Sequence, residues 1–291
     1  MDDLSSAPLL PNEIIDLIIE FSTDISTLHA LCLTSHNCVH TARKYLYEHI
    51  TLSSASYSSL HTHFELGGER LSQWCTTLSD LNPNLALYLT ACTILDLDDE
   101  DDWSVVVIIL RSAENLKHFA ILNPPSEHIH DLLHGHSFHL TSFTFLSHLE
   151  DDVDKLIIQF LGDQLRTLSD LLILGPENEA LTSFRTQLSI TNPTYSEQSK
   201  LKILGGEQTT LEELLPLHPR VREIVWMPTN EQESDNLVLT STAFRDALSH
   251  ITSLTLATFP EMLSFRPSLT SLCDCLTALE DLHISGRHYV S

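Results

Sequence analysis

The sequence is poor in glycine, in basic residues and in long apolar runs, and each shortage excludes a class of protein. Only 8 of the 291 residues are glycine, and no glycine-rich loop of the kind that holds a nucleotide follows a strand-like segment. Lysine and arginine number 15 against 40 aspartates and glutamates, so the net charge is −25. Because that charge repels phosphate backbones, we expect no nucleic-acid ligand. The longest aliphatic run, residues 105–110, is too short to cross a bilayer, so we expect no membrane association.

Cysteine is also scarce and irregularly placed. The six cysteines, at positions 32, 38, 75, 92, 273 and 275, form no regular disulfide framework. The chain starts with Met-Asp-Asp-Leu-Ser-Ser, which lacks the basic and then apolar order of a secretory signal. We therefore expect free thiols and a cytoplasmic or nuclear location. The composition, 42% hydrophobic and 19% charged, is that of a globular protein.

The first apolar segment, residues 10–21, is unusually apolar for a short helix. Pro11 suits the first helical turn, and Glu13 complements the positive end of a helix. At roughly 100° per residue, the apolar side chains cover an arc of about 200°, about twice the width that one packing face requires. These side chains are Ile14, Ile15, Leu17, Ile18, Ile19 and Phe21. The sequence therefore predicts a helix with two packing partners.

Two more short helices are predicted before residue 50. One covers residues 25–31, and the other follows Thr34 and Ser35, either of which can cap it, and includes residues 42–47. A segment of this length is too short to bury a core of its own. We expect the three helices to pack on another part of the chain.

From about residue 84 the sequence repeats the pattern Leu-x-x-Leu-x-Leu, with other apolar residues allowed. The copies start at residues 89, 116, 140, 168, 221, 251 and 279. Leu201–Leu204 is a degenerate copy in the longest gap. Helix-like segments lie between the copies, at residues 103–113, 128–134, 153–161, 211–215, 243–251 and 269–276. A strand and a helix in each unit of this length are typical of leucine-rich repeats, although an ordinary α/β sheet with parallel strands shares the alternation.

In leucine-rich repeats the x positions of the strands face solvent and bind proteins. The candidate residues for contact with a protein substrate are Lys117, His118, Thr141, Ser142, Arg222, Glu223, Glu280 and Asp281.

Three other clusters are candidates for metal sites. His130 and His134 have the i, i+4 spacing that can bind zinc, but a third ligand is not evident, and a solvated or packing role is favoured. The acidic run 96–102 has three interpretations. Its carboxylates can stabilise the start of a helix, contact a basic partner, or form the metal site of a metal-dependent enzyme. Cys273 and Cys275 are too close for a zinc-finger pair. Because no catalytic set can be assigned, we expect neither an enzyme nor a bound cofactor or metal.

The N-terminal segment resembles the F-box motif. The resemblance lies in Leu10-Pro-Asn-Glu-Ile-Ile, followed by Ile18, Ile19, Leu28, Leu31, Leu33 and Ser35. As a pattern, nearly the whole chain is similar to fungal F-box-like proteins, particularly those of mushrooms, and residues 81–97 resemble the start of their leucine-rich repeats. The chain departs from the motif in two ways. Cys38 occupies the usual tryptophan position, and the register after the first helix is loose.

The resemblance implies an α/β fold with three parts. These are an F-box-like module of three helices at residues 1–50, a helical linker at 51–83 and an irregular leucine-rich-repeat solenoid at 84–291. It also implies a non-catalytic receptor that binds the adaptor Skp1, and through it a cullin–RING ubiquitin ligase, and that holds a protein substrate on the repeats. The implied adaptor contacts are Leu10, Pro11, Ile14, Ile15, Ile18, Leu28 and Leu31. Two alternatives remain: the helices only cap the solenoid, or the chain is a protein-binding scaffold with a degenerate F-box.

Overall fold

A computed structural model describes residues 11–22, 24–34, 36–53, 65–66, 73–74, 76–78, 82–97, 100–146, 151–174, 199–227, 241–258 and 272–286. The chain divides into a first unit, Met1–Lys117 with His136–Phe138, and a second unit, His118–Gly135 with His139–Ser291. Both units are of the α/β type, with parallel strands alternating with helices. In the described ranges, every helix is too short or too polar to span a bilayer.

Three helices open the first unit, as predicted. They are α1 (Asn12–Glu20), α2 (Ile25–Thr34) and α3 (His36–Glu48). Asp24 caps α2, because the backbone N–H and the hydroxyl of Thr27 both donate hydrogen bonds to Asp24 Oδ2, at 2.7 and 2.8 Å. These two bonds, the hydroxyl one first, lower the pKa of the Asp24 carboxyl.

The three helices share one small core. Ile19, Leu28, Cys38 and Ala42 are buried against one another. Ile15, Leu31, Cys32, Tyr45 and Leu46 pack around them and are partly buried. Thr41 Oγ1 donates a hydrogen bond to Asp16 Oδ1 at 2.6 Å and so ties α3 to α1. Each helix therefore turns one side toward its neighbours.

Helix α3 leads directly into a parallel sheet. Its strands are β1 (His49–Ser53), β2 (Glu65–Leu66) and β3 (Ala91–Asp96), with β1 between the other two. The range predicted as a helical linker therefore contains strand. The physical reason is that β1 lies between two strands and buries both of its faces, Ile50 and Leu52 on one and Thr51 and Ser53 on the other.

A 3-10 helix, Pro83–Tyr88, lies between α3 and the helix that follows β3, α4 (Glu100–Ser112). Tyr88 Oη lies 2.9 Å from His40 Nδ1 on α3, and the two rings meet edge to face. On the other side, Asn115 Nδ2 donates to the carbonyl of Leu87 at 2.7 Å. These contacts attach the helices of the first unit to its sheet.

The second unit is a run of strands in sequence order. The strands are β4 (His118–Leu122), β5 (Ser142–Leu146), β6 (Asp170–Leu174), β7 (Ile203–Gly206), β8 (Glu223–Trp226), β9 (Ser253–Thr258) and β10 (Asp281–Gly286). Each strand pairs in parallel with the next one along the chain. This order is compatible with a solenoid-like arrangement within the unit.

Helices alternate with these strands, as the sequence predicts. They are α5 (Ser126–Leu133), α6 (Asp151–Gln164), α7 (Gln208–Leu214) and α8 (Thr242–Leu248). A second 3-10 helix, Leu215–Leu217, continues α7. Of the last predicted helix, residues 269–276, the first three residues lie outside the described residues, and only residues 272–273 are helical.

A shared hydrogen bond explains the Leu-x-x-Leu spacing. The N–H groups of Ser169 and Asp170 both donate to the carbonyl of Thr141, at 2.8 and 3.1 Å. The same doubled contact recurs at β7, β8, β9 and β10, each time on a carbonyl of the preceding strand segment. Two residues thus face one carbonyl, as in a β-bulge. Two non-core residues therefore separate the first buried side chain of a repeat from the second.

The strands of the second unit contribute two in-register rows of buried side chains to its core. One row contains Phe119, Phe143, Leu171, Leu204, Ile224 and Leu254, and the other contains Ile121, Phe145, Ile173, Trp226 and Leu256. Gly206 occupies the β7 position of the second row. A Cβ there would lie 2.7 Å from the carbonyl oxygen of Ile173 and 2.8 Å from Thr210 Cγ2, so the close approach of α7 requires glycine.

Candidate protein-binding surfaces

Helix α1 carries two apolar rows, of which only one is covered. Ile15 and Ile19 face the core of the three helices. Ile14, Leu17, Ile18 and Phe21, here called the outer row, are 42%, 47%, 51% and 81% exposed. Their i, i+3, i+4, i+7 spacing places them on one face of the helix. Contiguous exposed apolar side chains of this kind mark interaction surfaces.

Acidic side chains border the outer row. Glu13, Asp16 and Glu20 are exposed on the same helix. Leu33 on α2 is another large exposed apolar side chain of these helices. The surface therefore combines an apolar strip with a carboxylate edge, a composition that suits a protein partner.

The seven residues predicted to contact the adaptor do not form one surface. Pro11, Ile14 and Ile18 are exposed on α1 or at its start. Ile15 and Leu31 are half-buried against the core of the helices, and Leu10 lies outside the described residues.

Leu28 corrects the predicted adaptor surface. Its side chain is only 1% exposed, because α2 turns it toward Ile19 and Ala42. It therefore supports the three helices from inside and takes no part in their surface. Leu17 and Phe21 were not among the predicted contacts, although continuing the helical spacing from Ile14 finds both.

Cys38, which replaces the usual tryptophan of the motif, belongs to the core of the three helices. Cys32 packs against the same core and is a free thiol. Burial raises the pKa of the Cys32 thiol above its usual value, so it stays protonated and poorly nucleophilic at neutral pH. Both cysteines therefore act as packing residues.

Two rows of side chains line the open side of the sheet in the second unit. Hydrogen bonds between strand starts join the first row, Thr141, Ser169, Lys202, Arg222, Thr252 and Glu280. Strand pairing joins the second row, His118, Ser142, Asp170, Ile203, Glu223, Ser253 and Asp281. All of these side chains are partly or fully exposed.

The structure brings seven of the eight predicted substrate-facing residues into these two rows. Thr141, Arg222 and Glu280 lie in the first row, and His118, Ser142, Glu223 and Asp281 lie in the second. Lys117 is exposed in the first unit, where its N–H donates to the carbonyl of Thr90 at 2.8 Å.

The prediction missed the row members on β6, β7 and β9. These are Ser169, Asp170, Lys202, Ile203, Thr252 and Ser253. The signal was available, because the same two x positions follow Leu168, Leu201 and Ile251. Once every copy of the pattern is treated as a complete strand, including the degenerate one, both rows can be written from the sequence.

The metal-site candidates are not supported in the described ranges. The rings of His130 and His134 stack at 4.7 Å between centroids, and His130 Nδ1 lies 3.5 Å from Asp131 Oδ1. Among the described residues, no group of three or more histidine, cysteine, aspartate or glutamate side chains could hold a metal ion. Of the acidic run, Asp96 ends β3, and Glu100, Asp101 and Asp102 form the first turn of α4, where carboxylates stabilise a helix.

Cys273 and Cys275 are free thiols, the first exposed and the second half-buried. A cleft of about 320 Å³ lies elsewhere in the second unit, between Leu215–Leu217 and α8. Apolar side chains and Asp246 line most of it. Neither feature brings together a nucleophile and a base.

A buried serine–histidine pair lies beside this cleft. Ser199 Oγ and His218 Nδ1 are 2.7 Å apart, and both side chains are buried. Ser199 Oγ also accepts a hydrogen bond from the N–H of Leu201 at 3.3 Å. Burial lowers the pKa of His218 to about 4, so the imidazole is neutral at pH 7. Because solvent does not reach Ser199, the pair holds two chain segments together and is not suited to nucleophilic catalysis.

Comparison with known proteins adds no assignment. No protein-family model matches the sequence, and no curated protein matches it significantly. The inference of function therefore rests on the outer row of α1 and the two open rows of the second unit.

Proposed function

We propose that this chain is a non-catalytic substrate-recognition subunit of a Skp1–cullin–F-box ubiquitin ligase, located in the cytoplasm or nucleus. In this proposal, the N-terminal helices bind Skp1, which links the chain to a cullin–RING scaffold. The second unit belongs to an irregular leucine-rich-repeat domain that holds a protein substrate. The observation that carries the proposal is the outer row of α1, four large apolar side chains that are exposed in the described part of the chain.

The outer row supports a partner for α1 that is separate from the rest of the chain. Ile15 and Ile19 already supply the packing that α1 needs within the helices. Covering a half-exposed isoleucine stabilises a complex by roughly 1 kcal/mol, so four such side chains give a useful apolar anchor. Exposed apolar patches bordered by polar residues are typical of protein interaction sites.

The alternative, that the helices only cap the repeats, uses a different surface. The contact with the 3-10 helix Pro83–Tyr88 is made by α3, through His40. It is also α3 that continues into β1. Because capping through α3 leaves the outer row of α1 uncovered, it does not account for that row.

A scaffold that does not bind Skp1 is the second candidate function. It is favoured by two observations: Leu28, an implied adaptor contact, is buried, and Cys38 fills the tryptophan position as a core residue. In that case the outer row meets another protein, and the repeats keep their role as a binding surface.

The repeat assignment is supported by the order of the strands in the second unit. Doubly wound α/β sheets reverse their strand order at a switch point, whereas here every strand pairs with the next one along the chain. The doubled hydrogen bond at the starts of β6 to β10 also recurs with the repeat. In this role the chain supplies proximity, and the associated enzymes carry out ubiquitin transfer.

The test is co-purification of the full chain with a fungal Skp1. We expect the wild type to hold the adaptor in a stoichiometric complex, and the double variant Ile14→Asp, Ile18→Asp to lose it, because two carboxylates would be desolvated in an apolar contact. The matched control is Ile108→Asp, Ile284→Asp, which makes the same changes at isoleucines that are 49% and 68% exposed outside α1. The control should retain Skp1.

Absence of a complex with soluble, folded wild type would refute the adaptor role and leave the scaffold function. Equal loss in the variant and the control would show that the outer row of α1 is not the contact surface.

A further inference from the structure

Basic residues are concentrated at one place in this acidic chain. Lys200 and Lys202 precede β7, and Arg220 and Arg222 precede β8, so 4 of the 15 lysines and arginines lie within residues 200–222. All four side chains are exposed. We call these four residues the basic patch.

The two halves of the basic patch lie side by side. The N–H of Arg222 donates to the carbonyl of Lys202 at 3.0 Å, which places the two segments at neighbouring-strand distance, about 5 Å. Leu201 and Val221, the central residues of the two halves, are buried. The basic side chains on either side of them therefore remain at the surface.

The buried Ser199–His218 hydrogen bond fixes this arrangement. Ser199 immediately precedes Lys200, and His218 lies two residues before Arg220. A neutral imidazole bonded to the Ser199 hydroxyl joins the two segments from the core side. The spacing of the four cations is therefore built into the fold.

The charges of the basic patch are not neutralised by the surrounding described residues. Among these residues, no carboxylate forms an ion pair with any of the four basic side chains. Arg222 Nη1 donates to the carbonyls of Pro219 and Val221, at 2.8 and 2.9 Å, which orients the guanidinium and leaves its charge in place. The carboxylates nearest along the rows are Glu223 and Asp170.

We propose that the basic patch binds a carboxylate-rich segment of a protein partner. This inference rests on the proposed function, in which the repeats hold a protein substrate, and it names the charge of the part of the substrate that is held. Arg222 belongs to the first open row, where a substrate would lie. Exposed lysine and arginine side chains on adjacent strands can engage several carboxylates at once, with arginine able to bind in a bidentate manner.

The size of the basic patch favours a short peptide segment over a nucleic acid. Electrostatic fields decay over about 8 Å at physiological salt, so a short segment responds mainly to the four local cations. A nucleic-acid strand extends beyond the patch and meets the field of a chain with net charge −25.

The experiment measures fluorescence anisotropy of a short labelled peptide of alternating glutamate and glycine, titrated with the full chain. The test variant is Lys202→Glu, Arg222→Glu, and the matched control is Arg43→Glu, Lys44→Glu, which changes the net charge equally at two exposed residues of α3. We expect the test variant to weaken binding by about tenfold or more, because four units of charge change at the contact, and the control to change it by less than about twofold.

Absence of binding to the wild type at physiological salt would overturn the inference, and so would equal weakening by the test variant and the control. Tighter binding of an oligothymidylate, with the same dependence on the patch, would overturn the peptide assignment in favour of a nucleic acid. Skp1 co-purification with the same proteins separates the two proposals. If the chain retains Skp1 but does not bind the peptide, only the basic patch is refuted.

Discussion

Phe21 and Phe143 have the same side chain in opposite surroundings. Phe21 ends α1 with 81% of its surface exposed, whereas Phe143 on β5 is 0% exposed, between Phe119 and Phe145. On β5 the buried side chains Phe143 and Phe145 pair with buried side chains on both neighbouring strands. On α1 the apolar positions outnumber the partners that the helices offer. Exposure on α1 therefore reflects the absence of a partner among the described residues and not a lack of apolar character.

The largest expected change in stability comes from replacing these two phenylalanines. Phe143→Ala should lower the free energy of unfolding by about 4 kcal/mol, since it leaves a cavity in a close-packed row. Phe21→Ala should change it by less than about 0.5 kcal/mol, because the ring is already in solvent. Urea unfolding followed by circular dichroism measures both. Equal losses in the two variants would show that α1 buries its outer row.

A second test uses the buried histidine of the second unit. Because burial lowers the pKa of His218 from 6.5 to about 4, the unfolded chain binds a proton that the folded chain does not. The contribution of neutral His218 to the free energy of unfolding is therefore fully present above pH 6.5. It decreases as the pH falls and is lost by the pKa of the folded state, about 4. Between pH 7 and pH 4.5 the loss due to this residue should be roughly 2.5 kcal/mol.

In the wild type, the free energy of unfolding should fall between pH 7 and pH 4.5. In His218→Gln, we expect this fall to be smaller by roughly 2.5 kcal/mol. Comparing two pH values within each protein removes any constant cost of the substitution. His29→Gln, which makes the same substitution at an exposed histidine on α2, is the comparison variant. An unchanged drop in His218→Gln would mean that His218 takes up a proton in the folded state.

The smallest expected change in stability distinguishes the buried face of α1 from its exposed face. Ile19→Val should cost about 1 kcal/mol, because it removes a methylene from the core of the three helices. Ile18→Val, one position away and half-exposed, should cost less than about 0.5 kcal/mol. The two midpoints of urea unfolding give the comparison directly. A larger cost at Ile18 would reverse the assignment of the inner and outer faces.

Much of the fold follows from local patterns in the sequence. The Leu-x-x-Leu-x-Leu copies predict the strands because alternation and buried rows are local properties of a strand. Helical spacing predicts α1, and Asp24 supplies a cap where α2 starts. Ile50 and Leu52 were missed as strand because they lie outside the regular repeat and follow a helix without a turn.

The candidate surfaces were less predictable, because they depend on contacts between distant residues. Leu28 fits the motif by spacing, yet the packing of α2 against α1 decides that it is buried. The Ser199–His218 hydrogen bond joins residues with no local signal. Lys202 and Arg222 become neighbours only once the register of β7 and β8 is known.

The pairing of each strand with its neighbours in sequence also governs how the second unit unfolds. Because every described strand of this unit pairs only with its neighbours in sequence, the stability of each repeat depends mainly on the repeats next to it. The core rows end at Leu282 and Ile284 on β10, where both side chains are exposed and β9 provides the described pairing. We therefore expect amide protection to be lower on β10 than on the phenylalanine-rich strand β5.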